Sequence, residues 1–243
     1  MTGSTYLRYE LLRNARNWRF VIFSLLWPLL LFVTIAGTQR HQTFDGTGFP
    51  LYFMTAMAAL GTMVAVVSSG ARIAAERSIG WTRQLRITPL RVGRYLRAKL
   101  LCGYAMALLV IVVMGVAGTI LGVRLSAGQW LTVIGLLLAG LIPLAILGIV
   151  LGHLLSTDSL TLAVGGITTV LALVGGAYGF QIAQSGPLFD LMKGLPSYWL
   201  VQAGRTAFGG GVWPAEGWIV IAAWTLVLVP LAVLVYRRDT SRA

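Results

Sequence analysis

The sequence predicts an all-α membrane protein: six transmembrane helices, an N-terminal amphipathic interfacial helix, a short cytosolic helix between spans 2 and 3, and short outer helices between spans 5 and 6. Three observations carry that expectation. Apolar residues make up 57% of the 243 positions and the mean hydropathy is +0.82, well outside the make-up of an ordinary soluble domain. The apolar residues fall in runs of roughly 20, the length a helix needs to cross a hydrocarbon core of about 30 Å. The basic residues crowd at the ends of those runs, and on alternate sides.

Residues 1–18 carry Leu7, Leu11, Ala15 and Trp18 on one helical face, with Arg8, Arg13 and Arg16 largely elsewhere. The pattern fits a short helix in the headgroup region, and equally a basic flank with chance periodicity. The expected spans are 20–38, 51–71, 100–123, 130–155, 160–180 and 218–236, within a single transmembrane domain, 1–243. The first apolar run is longer than that of a signal peptide and lacks a small-x-small cleavage site, so it is read as retained. Pro28, Pro143 and Pro230 permit kinks. The few-residue links on either side of the fourth span force antiparallel neighbours. Two G-x-x-x-G pairs, Gly118 with Gly122 and Gly148 with Gly152, allow close helix approach, within one chain or between chains.

Lys and Arg set the orientation. Arg8, Arg13, Arg16, Arg19, eight residues of the segment 72–99, and Arg237, Arg238 and Arg242 fall on one side; Arg40, Arg124, Lys193 and Arg205 fall on the other. The asymmetry places both termini and the segment 72–99 in the cytoplasm, for a multi-pass protein of the cell membrane. It also accounts for the net charge of +12 without nucleic acid. The segment 181–217 is then outside. It is too apolar for free solvent, yet Asp190, Lys193 and Arg205 unsuit it for spanning. Short helices that dip into the outer leaflet or cap a cavity fit best.

Several chemistries lack their residues. No Asp, Glu, Lys or Arg lies inside an expected span, which disfavours a proton-driven carrier. Neither His41 nor His153 is placed beside the one superficial nucleophile motif, Ser68-Ser69-Gly70, so no catalytic residues are assigned. His153, near Asp158, reads as a snorkelling polar end of the fourth span. Metal-ligand spacings are missing, and the lone Cys102 forms no intrachain disulfide. No G-x-x-x-x-G-K-[ST] loop is present, so energy for uphill transport would come from another chain.

The segment 72–99 is where such a chain could dock. It holds Arg72, Arg77, Arg83, Arg86, Arg91, Arg94, Arg97 and Lys99, with Glu76 the acid among them. Gly80 allows a sharp turn, and Trp81, Leu85 and Thr88 then recur on one face of a short helix that Thr88-Pro89 closes. A helix of that kind, with Arg83 and Arg86 alongside, suits a groove on a partner. The same arginines also suit topology setting and anionic headgroups, and charge alone does not separate the two.

The order of residues separates them better. The pattern E-R-x-x-G-W-x-x-Q-L-R-x-T-P-L, from Glu76 to Leu90, followed by a basic run into a span, resembles the coupling-helix region of the ABC-2 type transport permeases. The resemblance extends over nearly the whole chain, including Pro196, Tyr198 and Arg205 of the outer segment. Matched by position, Glu76, Arg77 and Gly80 open the coupling loop, Leu85 supplies an apolar contact, and Thr88 and Pro89 close it. Trp81 departs from the threonine often found after the glycine, and is similar to antibiotic and multidrug efflux permeases.

The resemblance implies a non-enzymatic membrane subunit of an ABC exporter. It would bind no cofactor; ATP and Mg would sit on two copies of a cytosolic ATPase, and the permease would pair with a second copy or a paralogue. The implied cargo is an amphipathic small molecule, with Phe53, Met57 and Met63 of the second span as candidate path residues among membrane lipids. Export of a lipid or glycan precursor, or an ATPase-independent channel or scaffold, are the other readings.

Overall fold

The computed structural model describes residues 10, 12–13, 16–44, 46–80, 92–179, 182–206, 208 and 212–241; for Arg19, Val92, Asp158, Thr161, Asp239, Thr240 and Ser241 it describes the backbone alone. The first span opens with α1 (Trp18–Val21), where the Asn17 side chain accepts from the Phe20 N–H at 3.2 Å. One π-helical turn (Ile22–Leu26) leads into α2 (Trp27–Thr38). Pro28 has no N–H to give to the Ser24 carbonyl, which accounts for the irregular turn. That carbonyl stands 2.5 Å from where a Cβ on Gly61 would lie, so the first span rests directly on the second.

The link to the second span contains a small antiparallel hairpin, β1 (Thr43–Phe44) with β2 (Thr47–Gly48), in register Thr43↔Gly48 and Phe44↔Thr47. The all-α expectation lacks this feature. Gly46, at φ +72°, makes the tight reversal that lets so short a link pair with itself.

The centre of the fold is α3 (Phe49–Ala71), continued past a turn at Arg72 by α4 (Ile73–Ser78). Of the apolar window in Phe49–Ser78, 83% is buried, against 17% in Ala215–Arg238. Around this rod stand α5 (Val92–Ile120), α6 (Ala127–Gly140), α7 (Ile142–Leu154), α8 (Thr157–Gly175), and then the outer pair α9 (Pro187–Lys193) and α10 (Pro196–Thr206), followed by α11 (Ala215–Ser241). A capping box of Ser126 and Gln129 starts α6. The expected fourth span is α6 and α7 end to end, separated at Leu141 because Pro143 in the next turn withholds a hydrogen bond. Gly176, at φ +76°, ends α8.

Among the described residues four helices are long and apolar enough to cross a membrane: Phe49–Ser78, Gly93–Ile120, Ala127–Leu154 and Ala215–Arg238. The expected first and fifth spans fall on two shorter apolar helices, Ile22–Thr38 and Leu162–Gly175. The helices that contain them run over Trp18–Thr38 and Thr157–Gly175, each about 30 Å long at 1.5 Å per residue, which matches the ~30 Å hydrocarbon core.

Glycines set the closest contacts. A Cβ on Gly148 would lie 2.5 Å from the Val67 carbonyl oxygen, and one on Gly152 would lie 2.6 Å from that of Gly70. The Gly148–Gly152 pair therefore packs within the chain, backbone on backbone, between α7 and α3. The other pair does not act as a pair: Gly118 meets Met54, while Gly122, at φ +94°, makes the turn after α5. On the outer side α10 is seated into the bundle rather than lying over it. A Cβ on Gly204 would stand 2.5 Å from Thr55, and one on Gly175 would stand 2.8 Å from the Ser197 carbonyl.

Candidate functional site

Glu76 and Arg77 project from α4 in different directions, because adjacent helical residues are turned about 100° apart. Glu76 is buried, 2% exposed. Its Oε1 accepts from Lys99 Nζ at 2.5 Å and from Arg13 Nη2, and its Oε2 accepts from the Tyr95 hydroxyl at 2.5 Å. Tyr95 and Lys99 lie four residues apart on α5 and so share a face. Lys99 Nζ also donates to Glu10 Oε1 at 2.5 Å, and Arg13 Nη2 reaches the same oxygen at 3.1 Å. The result is a buried network drawing on three separate stretches of chain. Inside a low-dielectric bundle such charges persist only when paired and hydrogen-bonded.

Arg77 turns the other way. Its Nη1 donates to the His153 carbonyl at 2.7 Å and, more weakly, to that of Gly152 at 3.4 Å. These are among the last carbonyls of α7, which lack intrahelical donors and favour a cation. His153 itself is buried, 6% exposed, with its ring edge-on to Tyr236 at 5.6 Å; it is not a snorkelling end, because α11 covers it. Above the network, the Arg72 guanidinium lies 5.1 Å from the Phe20 ring centroid. Gly80, at φ +71° with open space around it, makes the turn expected of it. Trp81, Arg83, Leu85, Arg86, Thr88 and Pro89 lie outside the described residues.

Of the other anticipated residues, Phe53, Met57 and Met63 are 3%, 0% and 1% exposed. They are core residues of the single chain, with Phe53 stacked on Phe49 at 5.5 Å. Cargo could meet them only if the helices around α3 part. In the outer segment Pro196 and Tyr198 are buried. The Tyr198 ring stands edge-on to Trp199 at 5.3 Å and Phe189 at 6.0 Å, and burial pushes its phenol above the ordinary tyrosine range. Arg205 stacks on Tyr52, guanidinium carbon to ring centroid 4.3 Å, and donates to the Gly176 carbonyl at 3.4 Å. It thereby joins the outer ends of α3, α8 and α10.

Residues 32–234 match the family described as ABC-2 family transporter protein. The chain belongs to that family. An ABC-2 family chain is the membrane transport subunit of an ABC transporter: a multi-pass protein without an ATPase site of its own, working with an ATPase subunit. The chain is also 23% identical over 234 residues, 96% of each protein, to one from Bacillus subtilis (strain 168) that bears the name "Putative transport permease YvfS".

Sequence reasoning missed Glu10 and the burial of Lys99 in this ABC-2 chain. It placed Glu76 as the acid among the basic residues of the segment; the structure pairs Glu76 with Lys99, Arg13 and Tyr95 and brings in a second acid. Two signals were available. Tyr95, Lys99 and Cys102 share an α5 face that continues into buried Met106, and Glu10 precedes Arg13 at helical spacing.

Proposed function

We propose that this chain is the membrane-spanning subunit of an exporter that carries an amphipathic small molecule, such as a drug or secondary metabolite, out of the cytoplasm. Two such subunits pair, and two copies of a cytosolic ATPase, which hold ATP and Mg, dock on the segments 72–99. The observation that carries this reading is the closure of the loop at its base. Lys99 Nζ and Glu76 Oε1 meet at 2.5 Å, so the two ends of the segment are tied at one point. Arg77 fastens the same point to the end of α7. A partner pushing on such a loop moves the helices, because the base cannot spread.

Two variants leave the basic count unchanged and so separate force transmission from topology. Trp81→Ala removes an aromatic contact, and an interface aromatic commonly carries about 2 kcal/mol or more, roughly a thirtyfold loss of association. Glu76→Gln opens the base. Both should insert at normal abundance and lose ATP-dependent export in inside-out vesicles. Normal export by both variants would reduce the loop to a topology signal. Failure of the wild-type chain to recover an ATP-binding subunit on purification, with transport persisting without ATP, would overturn the exporter reading.

A further inference from the structure

The buried network includes Glu10 and Arg13, which precede both the loop and the residues that match the family. Glu10 is 1% exposed and Lys99 is 1% exposed, so their ion pair is as enclosed as that between Lys99 and Glu76. Only a short tether separates the network from the first span. Arg16 N–H donates to the Leu12 carbonyl at 3.0 Å, and Asn17 then caps α1. Phe20, one turn further, is buried beneath Arg72 and packs with Ala65 of α3 and Met106 of α5. Beyond it, the Ser24 carbonyl abuts Gly61. The first span is therefore joined to the loop base by charge at its inner end and by close packing along its length.

We propose that Glu10 and Arg13 make the N-terminal segment a working part of the coupling device. Through Lys99 they clamp it to Glu76, so that displacement of the loop is delivered to the first span as well as to α3 and α5. This rests on the proposed docking of an ATPase at the loop. Glu10 is a positioning residue in this scheme: it touches no cargo and no nucleotide, and acts through Lys99. A flank that served only to set topology would need no buried carboxylate.

The test uses the full chain co-purified with its ATP-binding subunit and carrying Thr38→Cys at the exposed outer end of α2, with native Cys102 buried and silent. Maleimide labelling of that cysteine is followed with and without ATP and vanadate. Wild type should show at least a threefold change in labelling rate. Glu10→Gln should abolish the change while subunit recovery is unaltered and ATP hydrolysis stays within twofold. Glu10→Asp, which keeps a carboxylate one methylene shorter, should recover part of it. Amide exchange should rise tenfold or more at residues 16–26 in Glu10→Gln but not in α6 and α7, which distinguishes release of the segment from misfolding. A nucleotide response that persists in Glu10→Gln, or one absent from wild type, would overturn the proposal. If no ATP-binding subunit accompanies the wild-type chain, it is the exporter reading that fails, and the exchange data still decide whether the clamp exists.

Discussion

Lys99 holds the most exacting position in the molecule, enclosed between two carboxylates. A buried ion pair is a poor source of net stability, because desolvation offsets the attraction, but breaking one by removing a single partner is costly. Lys99→Met takes from Glu10 and Glu76 the one fully enclosed cation that they share, leaving the partly exposed Arg13, and should lower unfolding free energy by about 3 kcal/mol. Arg13 touches the same two acids, yet its side chain is 35% exposed, so solvent screens it. Arg13→Gln should cost about 1 kcal/mol or less. Denaturant titration of the detergent-solubilised chain would order the two, and equal losses would refute the network as drawn. Arg77 stands apart from this network and donates to carbonyls at a helix end.

At the scale of elements, α3 is held at both ends by charge and along its middle by glycine. Its continuation α4 carries Glu76 into the ionic network, and its N-terminal end meets Arg205 through Tyr52. Between them Gly70, Gly148 and Gly152 let α7 approach to backbone contact. A methyl on Gly148 has nowhere to go, since its nearest neighbours are the backbone atoms of Val67. Gly148→Ala should therefore destabilise by about 1–3 kcal/mol. Gly165 of α8 meets nothing within 4 Å, so Gly165→Ala should be neutral or raise stability by up to about 1 kcal/mol through helix propensity. Thermal unfolding of both variants in one detergent compares them directly. A loss at Gly165 equal to that at Gly148 would mean that α8 packs against something a single chain does not supply.

The whole molecule has two differently built ends. One end is an ionic junction of Glu10, Arg13, Glu76 and Lys99, and the other is an aromatic layer in which Trp199 stacks near Trp213 and Trp213 is tilted against Trp218. The orientation predicted from basic residues would put the ionic end in the cytoplasm. Cysteines replacing Gln42 or Ser185 should react with an impermeant thiol reagent added to intact cells, and one replacing Ser78 should not. All three positions are exposed on the chain, and Cys102 is buried, so the readout depends on sidedness. Reversed labelling would invert the topology and remove the cytosolic docking site.

Hydropathy and charge are sums over neighbouring residues, which is why the membrane class, the helical runs, the basic segment 72–99 and the E-R-x-x-G pattern could be read from the chain alone. Gly80 was legible for the same reason: a left-handed turn is a property of one residue. Proline positions likewise announced the irregularities at Pro28 and Pro143, though not that one would be a π-turn and the other a break between α6 and α7. The candidate site was only half legible. Glu76 and Arg77 were found by pattern, but Glu76 meets Lys99, Tyr95 and Arg13, Arg77 meets the end of α7, and Glu10 joins through Lys99, all brought together by the packing of α3 against α5 and α7. No local window contains residues 10, 76 and 99. A carboxylate's partner depends on which charges the fold buries beside it, and burial is settled by the contact of whole helices. The path residues Phe53, Met57 and Met63 illustrate the same division: an apolar run says that a residue leaves water, and only tertiary structure decides whether it faces lipid, cargo or the core.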